Sequence, residues 1–227
     1  MKKSIFIFAF FLCLSFSSIH AEKTVEELKQ RVCKELPNIE GWCSKEKALS
    51  FIDLVLQTKP TICVEIGIFG GASVFPVASA LQYLGTGVII GIDPWDKIEC
   101  LKYFDPFEDR EHLNWWGKIN LNHIYASYLN MISKHSLEDY CFTMQVSSEK
   151  AVSEIKTIDI LHIDGNHSEA SSMQDVLLYL PKVRLGGYIW MNDALSPTTQ
   201  TAIDLLLKTC DVIKLIDNGN CILFKKR

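Results

Sequence analysis

Short apolar runs and longer helical periods alternate along most of this chain. Seven runs of four to six residues are dominated by apolar side chains, the composition of buried strands: Ile62–Ile66, Val88–Ile92, Cys141–Val146, Ile158–Ile163, Gly187–Met191, Val212–Ile216 and Cys221–Phe224. Helical periodicity lies between them, in Ala72–Leu84, Glu149–Ile155, Glu169–Leu180 and Thr199–Leu207. The alternation predicts an α/β fold: a doubly wound, mostly parallel sheet of about seven strands with helices on both faces.

The last two apolar runs are joined by the turn cluster Asp217-Asn218-Gly219-Asn220, which leaves no room for a helix. We therefore expect an antiparallel hairpin at the C-terminus. Of the seven strands, about six are expected to be parallel, and one antiparallel strand is expected at the edge of the sheet.

Two regions do not follow this alternation of strands and helices. Residues 22–60 carry helical apolar stripes and precede the main domain, residues 61–227. These helices could cover the sheet or form a dimer arm, so a homo-oligomer is one of the expected possibilities. Residues 95–139 are rich in aromatic side chains and are expected to form a helical lid or insert over the carboxyl ends of the strands, where open α/β sheets bind ligands. Ordinary core aromatics under a long connection are the alternative.

The N-terminus has the pattern of a secretory signal peptide. Lys2 and Lys3 precede an apolar run from Ile5 to Phe16, and small residues follow up to Ala21. Residues 1–21 therefore predict export to a periplasm or the medium, with an uncleaved membrane anchor as the alternative. Because the run is shorter than the ~20 residues of a comfortable span, we expect no stable membrane span after cleavage.

Cysteine usage agrees with export only in part. After removal of Cys13, seven of the eight cysteines remain, and an odd number cannot all pair within one chain. Local disulfides between Cys33 and Cys43 and between Cys210 and Cys221 are expected in an oxidising compartment.

Composition narrows the function classes. The chain has 227 residues, 48% of them hydrophobic, and no low-complexity tract, which excludes a disordered or coiled-coil protein. The formal net charge is −4 and no extended Lys/Arg cluster offsets it, so no nucleic-acid partner is expected.

Polar and small residues follow the first three strands. Glu65 and Gly67 open a glycine-containing turn into a helix, where backbone N–H groups can approach a ligand closely. Asp93 ends the second strand and can accept two hydrogen bonds from ribose hydroxyls. Ser147 and Ser148 follow the third strand, where they can cap a helix and reach a base edge. Together these positions predict a nucleoside-bearing ligand.

The fourth and fifth strands end in oxygen ligands. Asp164 ends the fourth strand, with His167 on the loop beyond it, and the fifth strand ends in Asn192 and Asp193. Oxygen donors on neighbouring strand tips suit Mg²⁺ or a similar hard divalent cation. The sequence therefore predicts a metal site beside a histidine.

Four motifs carry a family resemblance: Glu65-Ile-Gly-Ile-Phe-Gly-Gly71, Gly91-Ile-Asp-Pro-Trp95, Ile163-Asp-Gly-Asn-His167 and Leu185-Gly-Gly-Tyr-Ile189 followed by Asn192-Asp193. They resemble the class I S-adenosylmethionine-dependent methyltransferases, and within them the metal-dependent O-methyltransferases of the macrocin and catechol types. The resemblance implies a Rossmann-like fold, S-adenosyl-L-methionine as cofactor and Mg²⁺ as metal.

Residue roles follow from the resemblance position by position. It implies cofactor binding by Glu65, Gly67, Phe69, Gly71, Ser73, Asp93, Trp95, Ser147 and Ser148. It implies metal binding by Asp164, Asn192 and Asp193, and a catalytic pair of His167, as general base, and Asp164. Sugar-modifying relatives usually carry an acid or histidine in place of Asn192.

The expected function is therefore O-methylation of a small hydroxylated substrate, sugar or catechol-like, in which Mg²⁺ lowers the pKa of the hydroxyl and His167 takes its proton. Export conflicts with a cofactor made in the cytoplasm. The alternative is an exported small-molecule-binding protein that has lost methyl transfer. A metal-dependent hydrolase is weaker, because it leaves Glu65 and Asp93 unexplained.

Overall fold

The computed structural model describes residues 24–105, 107 and 109–227. The predicted signal peptide, residues 1–21, lies outside the described residues, so cleavage and export stay predictions. In the described part of the chain, no helix is both long enough and apolar enough to cross a bilayer.

One sheet organises the molecule. Its seven strands are β1 Ile62–Ile66, β2 Val88–Ile92, β3 Cys141–Met144, β4 Ile158–Ile163, β5 Val183–Asn192, β6 Cys210–Ile216 and β7 Cys221–Lys226. They lie in the order β3-β2-β1-β4-β5-β7-β6. The neighbours from β3 to β5 are parallel, whereas β7 is antiparallel to both β5 and β6. The predicted α/β fold with an antiparallel C-terminal hairpin is confirmed.

The position of the reversed strand corrects one expectation. The antiparallel strand β7 lies between β5 and β6, so the edge strand is β6. The apolar composition of β7 agrees with this internal position: Leu223 and Phe224 are buried, whereas most of β6 is exposed.

Helices cover both faces of the sheet. They are α1 Val25–Glu35, α2 Lys45–Thr58, α3 Val74–Leu84, α4 Lys97–Cys100, α5 Arg110–Lys118, α6 Leu121–Lys134, α7 Ser148–Ala151, α8 Glu169–Tyr179 and α9 Gln200–Leu207. Successive side chains of a strand point to opposite faces, so Cys63 joins the core under α1, α2, α3 and α6, while Val64 joins the core under α8 and α9.

The N-terminal helices pack on the sheet. Thr24 and Glu27 form a capping box that starts α1, and Ser44 caps α2 by accepting a hydrogen bond from the backbone N–H of Lys47. Leu28 and Ile52 are fully buried in the core of that face. Residues 24–60 therefore cover the sheet, which was one of the two roles expected for this segment.

The aromatic segment 95–139 has two parts. Its last helix, α6, buries Ile124 and Tyr128 in the core, which is the ordinary structural role. In contrast, no residue of α5 is buried, and Trp115 and Trp116 from this helix line the cavity described below. Only the first part of the segment is placed as a lid would be.

The seven described cysteines are free thiols, which corrects the expected disulfides Cys33–Cys43 and Cys210–Cys221. The hairpin explains the second case. Cys210 pairs with Lys226 and Cys221 with Ile216, so the two cysteines stand at opposite ends of the β6–β7 ladder. The local sequence spacing did not show this, because both residues begin a strand.

Candidate active site

A cavity of about 460 Å³ opens at the carboxyl ends of β1, β2, β4 and β5. It brings together most of the residues predicted from the sequence: Gly67, Phe69, Ser73, Asp93, Ser147, Ser148, Asp164, His167, Asn192 and Asp193. Such a volume is typical of small-molecule sites, and the crevice at the strand ends is where open α/β sheets bind ligands.

Three of the predicted cofactor residues do not line this cavity. Glu65 is fully buried behind it and accepts a hydrogen bond from the Ser73 hydroxyl. Gly71 faces α6, where a Cβ would come within 2.7 Å of the Tyr128 ring. Trp95 is buried and donates its indole N–H to the Phe69 carbonyl at 2.9 Å. They support the loop after β1 from behind.

The loop after β1 is shaped by close backbone contact. Gly67 has φ +83°, and a Cβ there would lie 2.2 Å from the Asp164 carbonyl oxygen, so only glycine allows the tips of β1 and β4 to approach this closely. Phe69 follows with φ +52°, and Asp193, which lines the same cavity, has φ +51°. Left-handed residues other than glycine are strained and concentrate at functional sites.

Asp93 holds this loop in place. One of its carboxylate oxygens accepts the backbone N–H groups of Ile68 and Phe69, each at 2.9 Å, and the other accepts that of Trp95 at 2.8 Å. Burial raises the pKa of Asp93, although the three N–H donors oppose the shift. Only the oxygen that accepts the Trp95 N–H keeps a lone pair, since the other already accepts two bonds, and the predicted contact with ribose hydroxyls stays a prediction.

A buried acid that the sequence did not indicate lies beside Ser147 and Ser148. Asp175, on α8, accepts a hydrogen bond from the Ser148 hydroxyl at 2.5 Å and lines the same cavity. Burial raises the pKa of its carboxyl to about 6. Within an amphipathic helix the residue had no distinguishing signal, because only the fold turns it toward the strand ends.

His167 and Asp193 form a hydrogen-bonded pair on the cavity wall. His167 Nδ1 lies 3.0 Å from Asp193 Oδ2. Burial lowers the pKa of His167, but the hydrogen bond and charge of Asp193 outweigh it, so the net shift is upward. Burial in turn raises the pKa of Asp193, yet His167 more than compensates and brings it down to about 2. The pair holds a basic imidazole at the cavity.

Asn192 joins the two acids through its amide. Its Nδ2 donates to Asp164 Oδ1 and to Asp193 Oδ2, each at 2.7 Å. Its Oδ1 accepts a hydrogen bond of 2.7 Å from the ammonium of Lys47, and the same ammonium lies 3.3 Å from Asp164 Oδ2. Nothing in the sequence indicated this role for Lys47, since a lysine in the first turn of a helix normally faces solvent.

The predicted metal ligands fit a divalent cation poorly in this arrangement. Ligand atoms of Asp164, His167 and Asp193 do lie within 4.8 Å of one another, a spacing that a metal ion could use. However, both oxygens of Asp164 are engaged by N–H donors, and the Asn192 oxygen faces Lys47. The N–H groups and the ammonium of the protein itself therefore compete with a cation for these oxygens.

His162 lies inside β4 between two acids. Its Nδ1 is 3.3 Å from Glu65 Oε1 and its Nε2 is 3.7 Å from Asp164 Oδ2, and the edge of its ring packs against Phe51. The residue is buried, yet within the described residues neither of its ring nitrogens makes a hydrogen bond.

Aromatic rings form part of the cavity wall, called here the aromatic wall. Trp42, from the segment before α2, lies 5.0 Å from the Phe69 ring and 5.5 Å from the Trp115 ring, measured between centroids. Trp115 and Trp116 meet edge to face at 5.0 Å. Trp42 and Trp115 stay 63% and 40% exposed, so ring surface remains available to a ligand.

The chain matches a known protein family. The model of a family described as "Methyltransferase domain" matches residues 64–194, from β1 to just beyond Asp193. No curated protein sequence matches the chain.

Solved structures share the fold at low sequence identity. The O-methyltransferase NovP has 17% identity and a TM-score of 0.62, over 85% of this chain and 79% of its own. TomG from Streptomyces achromogenes, an O-methyltransferase involved in tomaymycin synthesis and solved in complex with SAM, has 13% identity and a TM-score of 0.60, over 92% of both chains. An O-methyltransferase from Bacillus cereus, solved with SAH, has 13% identity and a TM-score of 0.57, over 92% of this chain and 94% of its own.

Proposed function

The chain belongs to the methyltransferase-domain family matched over residues 64–194, and from that membership we propose that it is an S-adenosylmethionine-dependent O-methyltransferase. Its acceptor is the hydroxyl of a small ring-bearing molecule, sugar or catechol-like, and His167 is the general base. The observation that carries the proposal is the hydrogen bond between His167 and Asp193 at the wall of the cavity.

Binding of S-adenosylmethionine is supported by the donor set of the cavity. Asp93 suits ribose hydroxyls, and the Ser147 and Ser148 hydroxyls suit a base edge. The glycine turn at Gly67 brings backbone to the cavity without a side chain between. TomG and the Bacillus cereus enzyme, solved with SAM and SAH, support the same cofactor class for this chain.

The proposed chemistry needs a base and a positioned acceptor. Bound S-adenosylmethionine would supply an already activated methyl group. Asp193 accepts the Nδ1–H of His167, an assignment inferred from the hydrogen-bond partner, which leaves Nε2 as the nitrogen with a free lone pair. Nε2 takes the proton of the acceptor hydroxyl, and the carboxylate stabilises the imidazolium that forms. Asn192 keeps the Asp193 carboxylate in place.

The aromatic wall supports an acceptor with a flat ring or a sugar face. Trp42, Trp115 and Phe69 present ring surface to the cavity that His167 and Asp193 also line. An acceptor stacked on these rings would have its hydroxyl toward the base.

Assistance by Mg²⁺ was expected from the sequence, but no step of the proposed mechanism depends on it. Its predicted ligands Asp164, Asn192 and Asp193 already contact one another or Lys47. A binding protein that has lost methyl transfer is not favoured, because a cleft kept only for binding has no need of a basic imidazole fixed by an acid.

Calorimetric titration of the purified protein with S-adenosylmethionine tests the first half of the proposal. We expect binding in the micromolar range. We also expect transfer of the methyl group to 3,4-dihydroxybenzoate, used as the probe acceptor, and mass spectrometry measures this transfer. Absence of cofactor binding would overturn the proposed function and favour a repurposed exported fold.

A further inference from the structure

We propose that the buried ammonium of Lys47 takes the place of a divalent cation in the acid cluster, so that this protein transfers methyl groups without a metal ion. The inference rests on the proposed function, and it makes Lys47 a positioning residue that acts through Asp164 and Asn192. The sequence motifs alone predicted Mg²⁺ at this place.

The fold delivers Lys47 to the cluster from another part of the chain. The residue lies in the first turn of α2, where its backbone N–H donates to the Ser44 hydroxyl at 2.9 Å. Its side chain runs inward and is only 2% exposed. Because α2 packs across the sheet, the ammonium reaches Asp164 and Asn192, which lie 117 and 145 positions further along the chain.

Lys47 decides which way the Asn192 amide points. With Oδ1 toward the ammonium, the amide N–H₂ donates to both Asp164 and Asp193. The flipped amide would set N–H₂ against a positive charge and its oxygen against two carboxylates, which removes three hydrogen bonds and adds repulsion. The observed orientation turns the amide oxygen away from the acids, so Asn192 cannot share a cation with them.

Lys47 also compensates the charge of the cluster. Asp164 is 17% exposed and Lys47 is almost fully buried, so the pair lies where water screens charge weakly. A divalent cation at Asp164 would be repelled by an ammonium that cannot leave for solvent. Removal of the ammonium would leave two acids, Asp164 and Asp193, joined only by the neutral amide of Asn192.

The role proposed for His167 as base is incompatible with metal binding at the same residues. A metal ion held by Asp164, His167 and Asp193 would need the imidazole as a ligand and would displace the hydrogen bond between His167 Nδ1 and Asp193 Oδ2. The metal site and the acid-oriented base therefore compete for the same side chains. With Lys47 as the cation, His167 stays free to act as a base.

Titration with Mn²⁺, followed by electron paramagnetic resonance in the presence of S-adenosylmethionine, tests the proposal without any acceptor. We expect the natural protein to bind no Mn²⁺ in the micromolar range. Lys47→Met, which keeps an unbranched side chain one atom shorter and removes the charge, should bind one Mn²⁺ per chain at least about tenfold more tightly. Lys45→Met is the matched control, because Lys45 is exposed on the same turn of α2 and should leave Mn²⁺ binding unchanged.

Two outcomes would overturn the proposal: micromolar Mn²⁺ binding by the natural protein, or Mn²⁺ binding by Lys47→Met that is no tighter than that of the control. The first decides the matter even if Lys47→Met fails to fold, which circular dichroism would report. Calorimetry with S-adenosylmethionine on the same samples tests the proposed function separately, so failure of cofactor binding is distinguished from failure of the metal inference.

Discussion

The Nδ1 atom of His167 lies 3.0 Å from Oδ2 of Asp193, and the two residues belong to different strand ends, beyond β4 and β5. The contact sets the orientation of the imidazole and keeps its pKa above the ordinary value in spite of burial. The proposed proton transfer from the acceptor hydroxyl depends on this pair.

Replacement of His167 by Ala should lower methyl transfer to the probe acceptor by ~10²–10⁴-fold, the usual contribution of a positioned general base. Cofactor affinity should change little, because the assigned cofactor residues lie elsewhere in the cavity. Initial rates and calorimetry measure the two effects. His123→Ala is the control, since His123 is 69% exposed on α6 and does not line the cavity. A variant of His167 that keeps full activity would exclude its role as base.

Asp193→Asn should reduce the rate while leaving the protein folded. The amide can still hydrogen-bond to the ring, but it neither stabilises the imidazolium nor raises the pKa of His167. We expect a lower kcat with nearly unchanged affinity for S-adenosylmethionine. A rate equal to that of the natural protein would show that Asp193 does not act through His167.

The raised pKa of Asp175 should make the stability of the protein depend on pH. Its folded pKa of about 6 is above the unfolded value of 3.8, so the native state holds a proton that the unfolded state has lost between these values. Stability therefore falls as pH rises through that window, and above it the ionised carboxyl costs about 3 kcal/mol.

Asp175→Asn should remove this cost, because the amide oxygen can still accept the Ser148 hydroxyl. Urea unfolding should show a gain of up to about 3 kcal/mol at pH 8 and little gain at pH 4. Asp211→Asn is the control, since the Asp211 side chain is 60% exposed. An equal gain at both pH values would contradict the assigned pKa.

Gly67→Ala should destabilise the protein and impair cofactor binding. The new Cβ would meet the Asp164 carbonyl oxygen at 2.2 Å, a backbone atom that cannot move away cheaply. We expect a loss of about 2–4 kcal/mol in the free energy of unfolding. Gly85→Ala separates backbone strain from steric contact, because Gly85 has φ +68° but no atom lies within 4 Å of its added Cβ. This variant should lose only about 1 kcal/mol in the free energy of unfolding. Equal losses would show that the contact with Asp164 is unimportant.

Trp115→Ala should weaken binding of a ring-bearing acceptor by about tenfold, from lost stacking surface, without changing cofactor affinity. The Michaelis constants for 3,4-dihydroxybenzoate and for S-adenosylmethionine measure this. Phe142→Ala on β3 is the control, as Phe142 is 54% exposed and is not among the cavity residues. An unchanged acceptor constant would remove the aromatic wall from the proposed acceptor site.

The sequence by itself determined the strands and what stands at their tips. Three strands begin and end as predicted, Ile62–Ile66, Val88–Ile92 and Ile158–Ile163, because buried parallel strands read as continuous apolar runs. Placement of Asp93 and Asp164 at one sheet edge followed from the same pattern, since the carboxyl ends of parallel strands meet there. These are local signals, carried by periodicity and by residues that end a run.

Only the tertiary structure decided how distant segments meet. Insertion of β7 between β5 and β6 depends on pairing energies that no single strand reveals, and it separates Cys210 from Cys221. Arrival of Lys47 at Asn192 depends on how α2 crosses the sheet. Periodicity shows which side of a helix is apolar, but the partner of a buried charge is fixed by packing, and here that partner turned a predicted metal ligand into an acceptor for an ammonium.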